Sequence, residues 1–484
     1  MITLDEFLAY EKEHNLSELR YKDIFYWQMI RSTIRSDIAF SELDKGNINS
    51  VTKFQKSKRN WTVYLAHLPG QVKHFFDSGR YDVFVSYNYT NRTIEGKSTN
   101  PYVDFLDRYG LKIKHHTIWS RNNWTKEDSA KSNSTLLELS WRFFFSKLAW
   151  LGKKWGKADY RDKLRQILTE LNEKYECNLS YEKYDKKIFN ESYRLRVYKK
   201  YYRHILKNKY RAAFIGYYPS THNSALVAAA RELKIPVIEH QHGMINKAHT
   251  TYNLPESSFA GMYCPDYFFT FGEYWSGECR LPKRTKVVAV GSPQFDEAAM
   301  LYTGREKDKK KIVYICDYSL GHEITKQVIN TARLVAPMGY EVTIKLHPKE
   351  YLSWREKFPW LAEATEELEN LICISGPVSP YELISGAAHI VGVNSTVLYE
   401  ALAFGCHVYT WDMGDDSPEV SNINAEIMDK GYILKYRTEE ELLSYIKNAK
   451  SQGMTELSHK LFKPGAVTNI GWELEKIISG VASI

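Results

Sequence analysis

The stretch from His389 to Gly405 constrains the fold more than any other part of the chain. Its first five residues form a short apolar run suited to a buried parallel strand, Asn394 follows as a natural N-cap, and Ser395 to Phe404 fits a helix that Gly405 closes. A strand that turns directly into a helix offers backbone N–H groups, the Ser395 and Thr396 hydroxyls and the positive end of a helix dipole at the carboxyl edge of a sheet. That is a seat for phosphate. Glu400, four residues after Thr396 on the same helical face, lies about one turn below such an anion, within reach of sugar hydroxyls. The same residues would equally make a well-capped packing helix, so the rest of the chain decides.

The second half repeats the strand-then-helix pattern from Ile312 to Cys316 onward, with strands at 342–346 and 371–374 and helices at 322–337, 354–368 and 381–387. In a doubly wound sheet, ligands bind outside the carboxyl ends of the strands. Asp317 and Ser319, then His347 and Pro348, then Asn394, Ser395 and Thr396 all fall at such ends. Pro348 fixes the turn after His347, so the imidazole is aimed in a set direction. Together with the helix N-terminus it would neutralise a phosphate without a metal. Asp412, Asp415 and Asp416 form the acidic group best suited to a hard cation, and they are read here as a loop.

The first half carries the same alternation with interruptions. Residues 1 to about 80 are expected to be mainly helical. A strand at 81–86 leads into a long polar loop, 87–100, that contains Arg92; a helix at 103–109, with Asp104 at its start, and a strand at 111–117 follow. Between about 120 and 210 the chain turns basic and aromatic, with a capping box expected at Thr135 to Glu138 opening a helix over 136–151. Its Trp, Phe and Lys residues suit either an anionic membrane surface or a helical core with a solvated basic face. Alternation resumes at 212–216, 224–233 and 236–240. The last strand ends in Glu239, His240, Gln241, His242 and Gly243, with His249 shortly after. Strands at 267–271 and 287–291 complete the set, and the polar segment 303–311 suits an interdomain linker.

The expected architecture is α/β: two Rossmann-like doubly wound domains facing a cleft, at 1–300 with a helical insertion at about 120–210 and at 311–465, followed by a helix at 466–484 packing back on the first domain. The six scattered cysteines, without a C-x-x-C pair, read as reduced core residues. A formal charge of +8 over 484 residues is modest, and no nucleic-acid reader motif accompanies the basic segment, so a nucleic-acid partner is not expected. The amino terminus lacks the pattern of a secretory signal, and no run has the length of a membrane span. A cytoplasmic protein is expected, with peripheral attachment to the inner face of the plasma membrane through the basic helices. Acid-base chemistry is expected from Glu239 and His242, with Asp104 as a further candidate. Arg92 and His249 are candidates for binding a second substrate.

The two-domain pattern resembles GT-B glycosyltransferases. More narrowly, Lys345 to Pro348, Asn394 to Thr396 with Glu400 to Gly405, and Glu239 to Gly243 look like bacterial transferases that build capsule or lipopolysaccharide. The resemblance implies that His347, Ser395 and Thr396 contact a cytidine nucleotide. It also implies a nucleotide-sugar donor as substrate with no separate cofactor, no metal, and a glycan or lipid-linked glycan acceptor. No acidic-acidic-glycine base motif of the sialyltransferase type is present. A nucleotide-sugar epimerase of the same architecture, or a non-catalytic subunit of a glycan-assembly complex, are the other expectations.

Overall fold

The computed structural model describes residues 2–43, 75–88, 92–94, 97–99, 102–118, 135–136, 160–247, 249–257, 261–302, 304–318, 320–393, 395–412, 425–449 and 455–480. Two parallel sheets organise it. The first comprises β1 (Val83–Asn88), β2 (Ile113–Ile118), β3 (Thr135–Leu136), β4 (Ala212–Ile215), β5 (Val237–His240), β6 (Tyr267–Thr270) and β7 (Lys286–Ala289). They lie in the order β7-β6-β5-β4-β1-β2-β3. The second comprises β8 (Asp308–Ile315), β9 (Glu341–Lys345), β10 (Leu371–Ile374), β11 (Ala387–Gly392), β12 (His407–Trp411) and β13 (Ile433–Tyr436). Its order is β10-β9-β8-β11-β12-β13. Within each sheet the third, second, first and fourth strands are neighbours in that sequence, so each is doubly wound. The switch points lie between β1 and β4 and between β8 and β11, which is where such sheets bind ligands. Every residue of β4, β5 and β11 is buried, as apolar strands covered on both faces must be. The molecule has the GT-B arrangement of two Rossmann-like domains.

Helices α1 (Leu4–Glu13), α2 (Trp27–Leu43), α3 (Tyr160–Tyr175) and the first half of α4 (Tyr181–Leu206) form a helical module on the first domain. Phe7, Trp27, Ile30, Ile34, Leu164, Ile167, Leu168, Leu171 and Ile188 make its core. The apolar face of α3 is therefore interior, which favours the core reading over the membrane reading for this part of the insertion. Residues 137–159, with most of the interleaved Trp, Phe and Lys, lie outside the described residues. The helix expected to open at Leu136 is corrected in its first residue: Thr135 and Leu136 form an edge strand paired with His116 and Thr117. The expected linker is also shorter, because β8 already begins at Asp308 and its charged residues 308–310 are exposed.

Helix α5 (Thr221–Glu232) follows β4 in the first domain, whereas α6 (Thr396–Ala403) and α7 (Thr455–Leu461), with α8 (Ala466–Ser479) after them, bear on the domain junction. The chain crosses back after α7. Trp275 Nε1 donates to the Leu461 carbonyl at 2.7 Å and Lys463 N–H to the Phe271 carbonyl at 2.8 Å. Ile470, Leu474 and Ile477 of α8 are buried in one cluster with Val83, Val85, Phe214, Ile238 and Phe269 of the first sheet. A second cluster joins the domains directly, with Trp275 against Tyr399 at 4.8 Å between ring centroids and Phe295 stacked on Phe462 at 4.1 Å.

Candidate active site

Helix α6 follows β11 through Val393, Asn394 and Ser395. The N-cap is Ser395, whose Oγ accepts from Val397 N–H at 3.2 Å; Asn394, expected in that role, lies outside the described residues. The helix ends as its sequence requires: Gly405 takes a φ of 74° and Cys406 N–H donates to the Ala401 carbonyl at 2.9 Å, a left-handed closure that a glycine adopts without a Cβ penalty. Thr396, the first residue of α6, also touches the first domain. Its Oγ1 accepts from Met244 N–H at 2.8 Å, so the loop after β5 sits on the N-terminus of α6. The carboxyl edges of the two sheets therefore meet here.

Beside that contact is a cavity of about 150 Å³, lined from the first domain by Tyr102, His240, His242, Ser292 and Gln294 and from the second by Tyr381, Thr396 and Glu400, among others. At ~30 Å³ per water it holds roughly five water volumes, on the order of one sugar ring. Three polar atoms among its lining residues are enclosed without a hydrogen-bond partner: His240 Nδ1, His242 Nδ1 and Gln294 Nε2. Buried polar groups are normally satisfied, so the lining is suited to a ligand rich in hydroxyls. His240 Nε2 lies 2.9 Å from the Gly291 carbonyl, and that oxygen can only accept, so Nε2 carries the proton and Nδ1 presents a lone pair. Burial pushes both His240 and His242 down to about 4, helped for His240 by its neighbour His242. Both rings are neutral at physiological pH. Glu400 Oε1 accepts from Tyr381 Oη at 2.7 Å. The Ser395 and Thr396 oxygens already accept backbone N–H groups, and a hydroxyl so engaged still has its own proton to donate.

The other sequence candidates lie elsewhere. Glu239 is fully buried: its Oε1 accepts from Tyr252 Oη at 2.7 Å and its Oε2 from Tyr218 N–H at 3.2 Å. Desolvation raises its pKa well above the ordinary carboxylate range. It does not line the cavity; held by Tyr252 and Tyr218, it braces the loop that presents His242. The signal was available, because a residue in the last two positions of a strand alternates faces with its neighbour, and His240 and Glu239 cannot both face one side. Asp104 opens a six-residue 3-10 helix and is exposed, two residues after the cavity residue Tyr102. Arg92 lies in a short hairpin, 92–94 paired with 97–99. The His249 ring packs edge-on to Tyr252 at 5.1 Å, and burial pushes it down to about 4. Asp412 is held by Lys435 and Arg437, each at 3.0 Å, which commits its carboxylate to cations of the chain. Asp415, Asp416 and Ser319 lie outside the described residues.

His347 follows β9, and β8 separates β9 from β11, so the strands that lead to His347 and Thr396 are two strand spacings, about 10 Å, apart. It does not line the cavity. Its backbone N–H donates to Glu350 Oε2 at 3.3 Å, and its ring is tilted 51° from that of the exposed Tyr318, at 5.5 Å between centroids. Lys349 and Lys357 stand over the Tyr318 ring at 4.6 and 4.7 Å. Desolvation lowers the His347 pKa, and neighbouring Lys349 adds to this. Asp317, Tyr318, His347 and the exposed Pro348 thus form an aromatic ledge at the same sheet edge as α6, with Lys349 and Lys357 over the Tyr318 ring supplying its positive charge. Ser292 and Gln294 were missed in the sequence. Gly291, Ser292 and Pro293 after β7 carry the strand, cap and proline order that starts a helix, and that signal was present.

No family model and no curated protein matches the chain. Among solved structures it is similar to the UDP-GlcNAc 2-epimerase from Methanocaldococcus jannaschii, with 13% identity, a TM-score of 0.44 and coverage of 82% of this chain and 99% of that one. It is also similar to Acinetobacter baumannii MurG, with 13% identity, a TM-score of 0.42 and coverage of 82% and 99%. The α,α-trehalose 6-phosphate synthase from Burkholderia multivorans shows 11% identity, a TM-score of 0.43 and coverage of 84% and 97%. Similarity at this level carries no weight for activity. Among the described residues no helix is long and apolar enough to cross a membrane, and no group of three or more His, Cys, Asp or Glu could hold a metal ion.

Proposed function

We propose that the protein is a glycosyltransferase that moves a sugar from a nucleotide-activated donor to a growing bacterial surface glycan, at the cytoplasmic face of the membrane. The observation that carries this reading is the interdomain cavity, where enclosed and unpartnered acceptors and donors of the first domain face the N-terminus of α6. In this reading the donor phosphate lies at Ser395 and Thr396, the sugar ring fills the cavity with Glu400 at its hydroxyls, and the nucleotide extends along the ledge of Asp317, Tyr318 and His347. A cytidine nucleotide is favoured by the family resemblance. His242 is the residue placed to take the proton of the attacking hydroxyl; Glu239 acts on it only through the loop.

Substitution His242→Asn should lower transfer by about 10² to 10⁴ and leave nucleotide affinity within about twofold. Near-normal transfer by a folded His242→Asn protein would overturn the assignment. Incubation with CMP-, CDP-, UDP- and GDP-sugars, with and without a lipid-linked glycan, separates the alternatives. Release of an epimerised nucleotide sugar without acceptor would make the protein an epimerase.

A further inference from the structure

A second cavity, of about 340 Å³, lies within the first domain between α2, α4 and the turn from β4 into α5. It stands beside the switch point of the first sheet, where β1 and β4 are neighbours and ligands are expected. Ser86 of β1 donates to Asn223 Oδ1 of α5 at 3.0 Å, holding the start of α5 against that point.

The charges around this cavity do not cancel. Arg31 is matched by Glu11, which accepts from its Nε and NH2 at 2.7 Å each, and its NH1 and NH2 also donate to the carbonyls of Thr250 and Asn253. Glu191 is used twice, by Arg194 at 2.6 Å and by the Thr221 hydroxyl. That leaves Lys187. Its Nζ donates to Thr33 Oγ1, and among the described residues no carboxylate lies within ion-pair distance of it. Three lining cations, Arg31, Lys187 and Arg194, thus face one lining carboxylate, Glu191, with Glu11 bound to Arg31 outside the lining, and the positive end of α5 adds to the excess. Burial lowers the pKa of Lys187, and the neighbouring Lys183 adds to this against the opposing pull of Glu191 and Asp37. Tyr198 and Tyr218 supply aromatic walls, the surfaces on which sugar rings stack.

The Tyr217 and Thr251 pair links this cavity to His242. Thr251 lines the cavity and sits 3.2 Å from Tyr217 Oη, and the Tyr217 ring meets the His242 ring edge-on at 5.3 Å. We propose that this cavity binds an acidic sugar residue of the acceptor chain, adjoining the residue that receives the transferred sugar, with Lys187 reading the negative charge. The word acceptor rests on the transferase reading; the binding of an acidic saccharide does not.

The test is calorimetric titration of the full chain with a glucuronate-containing tetrasaccharide, with the same tetrasaccharide after carboxyl reduction, and with glucose 6-phosphate. The acidic tetrasaccharide should bind at least tenfold more tightly than its neutral counterpart. Lys187→Gln should erase that preference and Lys187→Arg should keep most of it. Arg194→Gln, which leaves Glu191 uncompensated, should erase it by a second route if Lys187→Gln proves poorly folded. Tighter binding of glucose 6-phosphate than of the tetrasaccharide, lost in Lys187→Gln, would assign the charge to a phosphate on the sugar and uphold the site. Equal binding of the acidic and neutral forms, or a preference that survives both Gln variants, would overturn it. Nucleotide affinity measured in the same variants should be unchanged. Failure of the wild type to bind any nucleotide, with the charge preference intact, would sink the transferase reading and leave this cavity assigned.

Discussion

Replacing Thr396 by valine isolates the hydrogen bond that joins the loop after β5 to the N-terminus of α6. Valine keeps the branching and nearly the volume of threonine, so little packing is lost, and the change is confined to one hydroxyl. Two interactions go with it. Met244 N–H, 2.8 Å from Oγ1, loses its acceptor at a part-buried site, a loss of about 1 to 3 kcal/mol if water cannot replace it. The hydroxyl proton also becomes unavailable to a donor phosphate, and a hydrogen bond to a charged group is worth about 1.5 to 3 kcal/mol. Nucleotide affinity should therefore fall about 10- to 150-fold, with a lower unfolding midpoint in the absence of ligand. Thr396→Ser keeps both interactions and should remain within about threefold of wild type in affinity. Titration calorimetry with CMP and UDP, paired with thermal unfolding, measures both effects. A Thr396→Val protein that binds nucleotide within twofold of wild type would refute the placement of phosphate at α6.

Glu239→Ala strands the Tyr252 hydroxyl and Tyr218 N–H in the core and should cost roughly 2 to 6 kcal/mol in urea unfolding. Glu239→Gln, which can accept from Tyr218 and donate to Tyr252, should cost less than about 1.5 kcal/mol; equal losses would mean that the hydrogen bonds are not what Glu239 contributes. His240, His242, His249 and His389 are each pushed by burial to about 4, below their ordinary value of about 6.5. The unfolded chain thus takes up protons first as pH falls. Stability should be full above pH ~6.5 and decline by up to about 1.4 kcal/mol per pH unit for each histidine as pH falls towards 4; an unfolding midpoint unchanged between pH 7 and 5 would contradict this. A Cβ on Gly272 would lie 2.2 Å from the Lys460 carbonyl oxygen, so Gly272→Ala should loosen the return crossing by about 1 to 3 kcal/mol and expose the segment near 455–466 to limited proteolysis. Unaltered cleavage there would argue against the crossing as drawn.

The repeating strand and helix pattern was legible because parallel strands covered on both faces must be short apolar runs, and those at 212–215, 237–240 and 387–392 are buried throughout. What the pattern could not show was which strand-end residues share a cavity. His347 and Thr396 fall at equivalent positions in the sequence, yet β8 intervenes between their strands, a matter of strand order that no local spacing records. The residue type of Glu239 suggests an acid-base group, whereas its surroundings, Tyr218 and Tyr252, come from other segments of the chain that no motif links to it. Both Asn394 and Ser395 suit an N-cap by residue type; the extended backbone at Ser395 makes it the cap of α6, one residue later than the sequence suggests.

The return of α8 to the first domain bears on synthesis. β7 ends at Ala289 and α8 begins at Ala466, so the ribosome adds 177 residues between completing the first sheet and supplying the helix that covers one of its faces. At about 5 to 20 residues per second this is roughly 10 to 35 s. Throughout that interval Val85, Phe214, Ile238 and Phe269 lack the partners Ile470, Leu474 and Ile477 with which they are finally buried. The first domain cannot finish folding as its own strands emerge; it must wait, with an apolar face open, until the whole second domain has been synthesised.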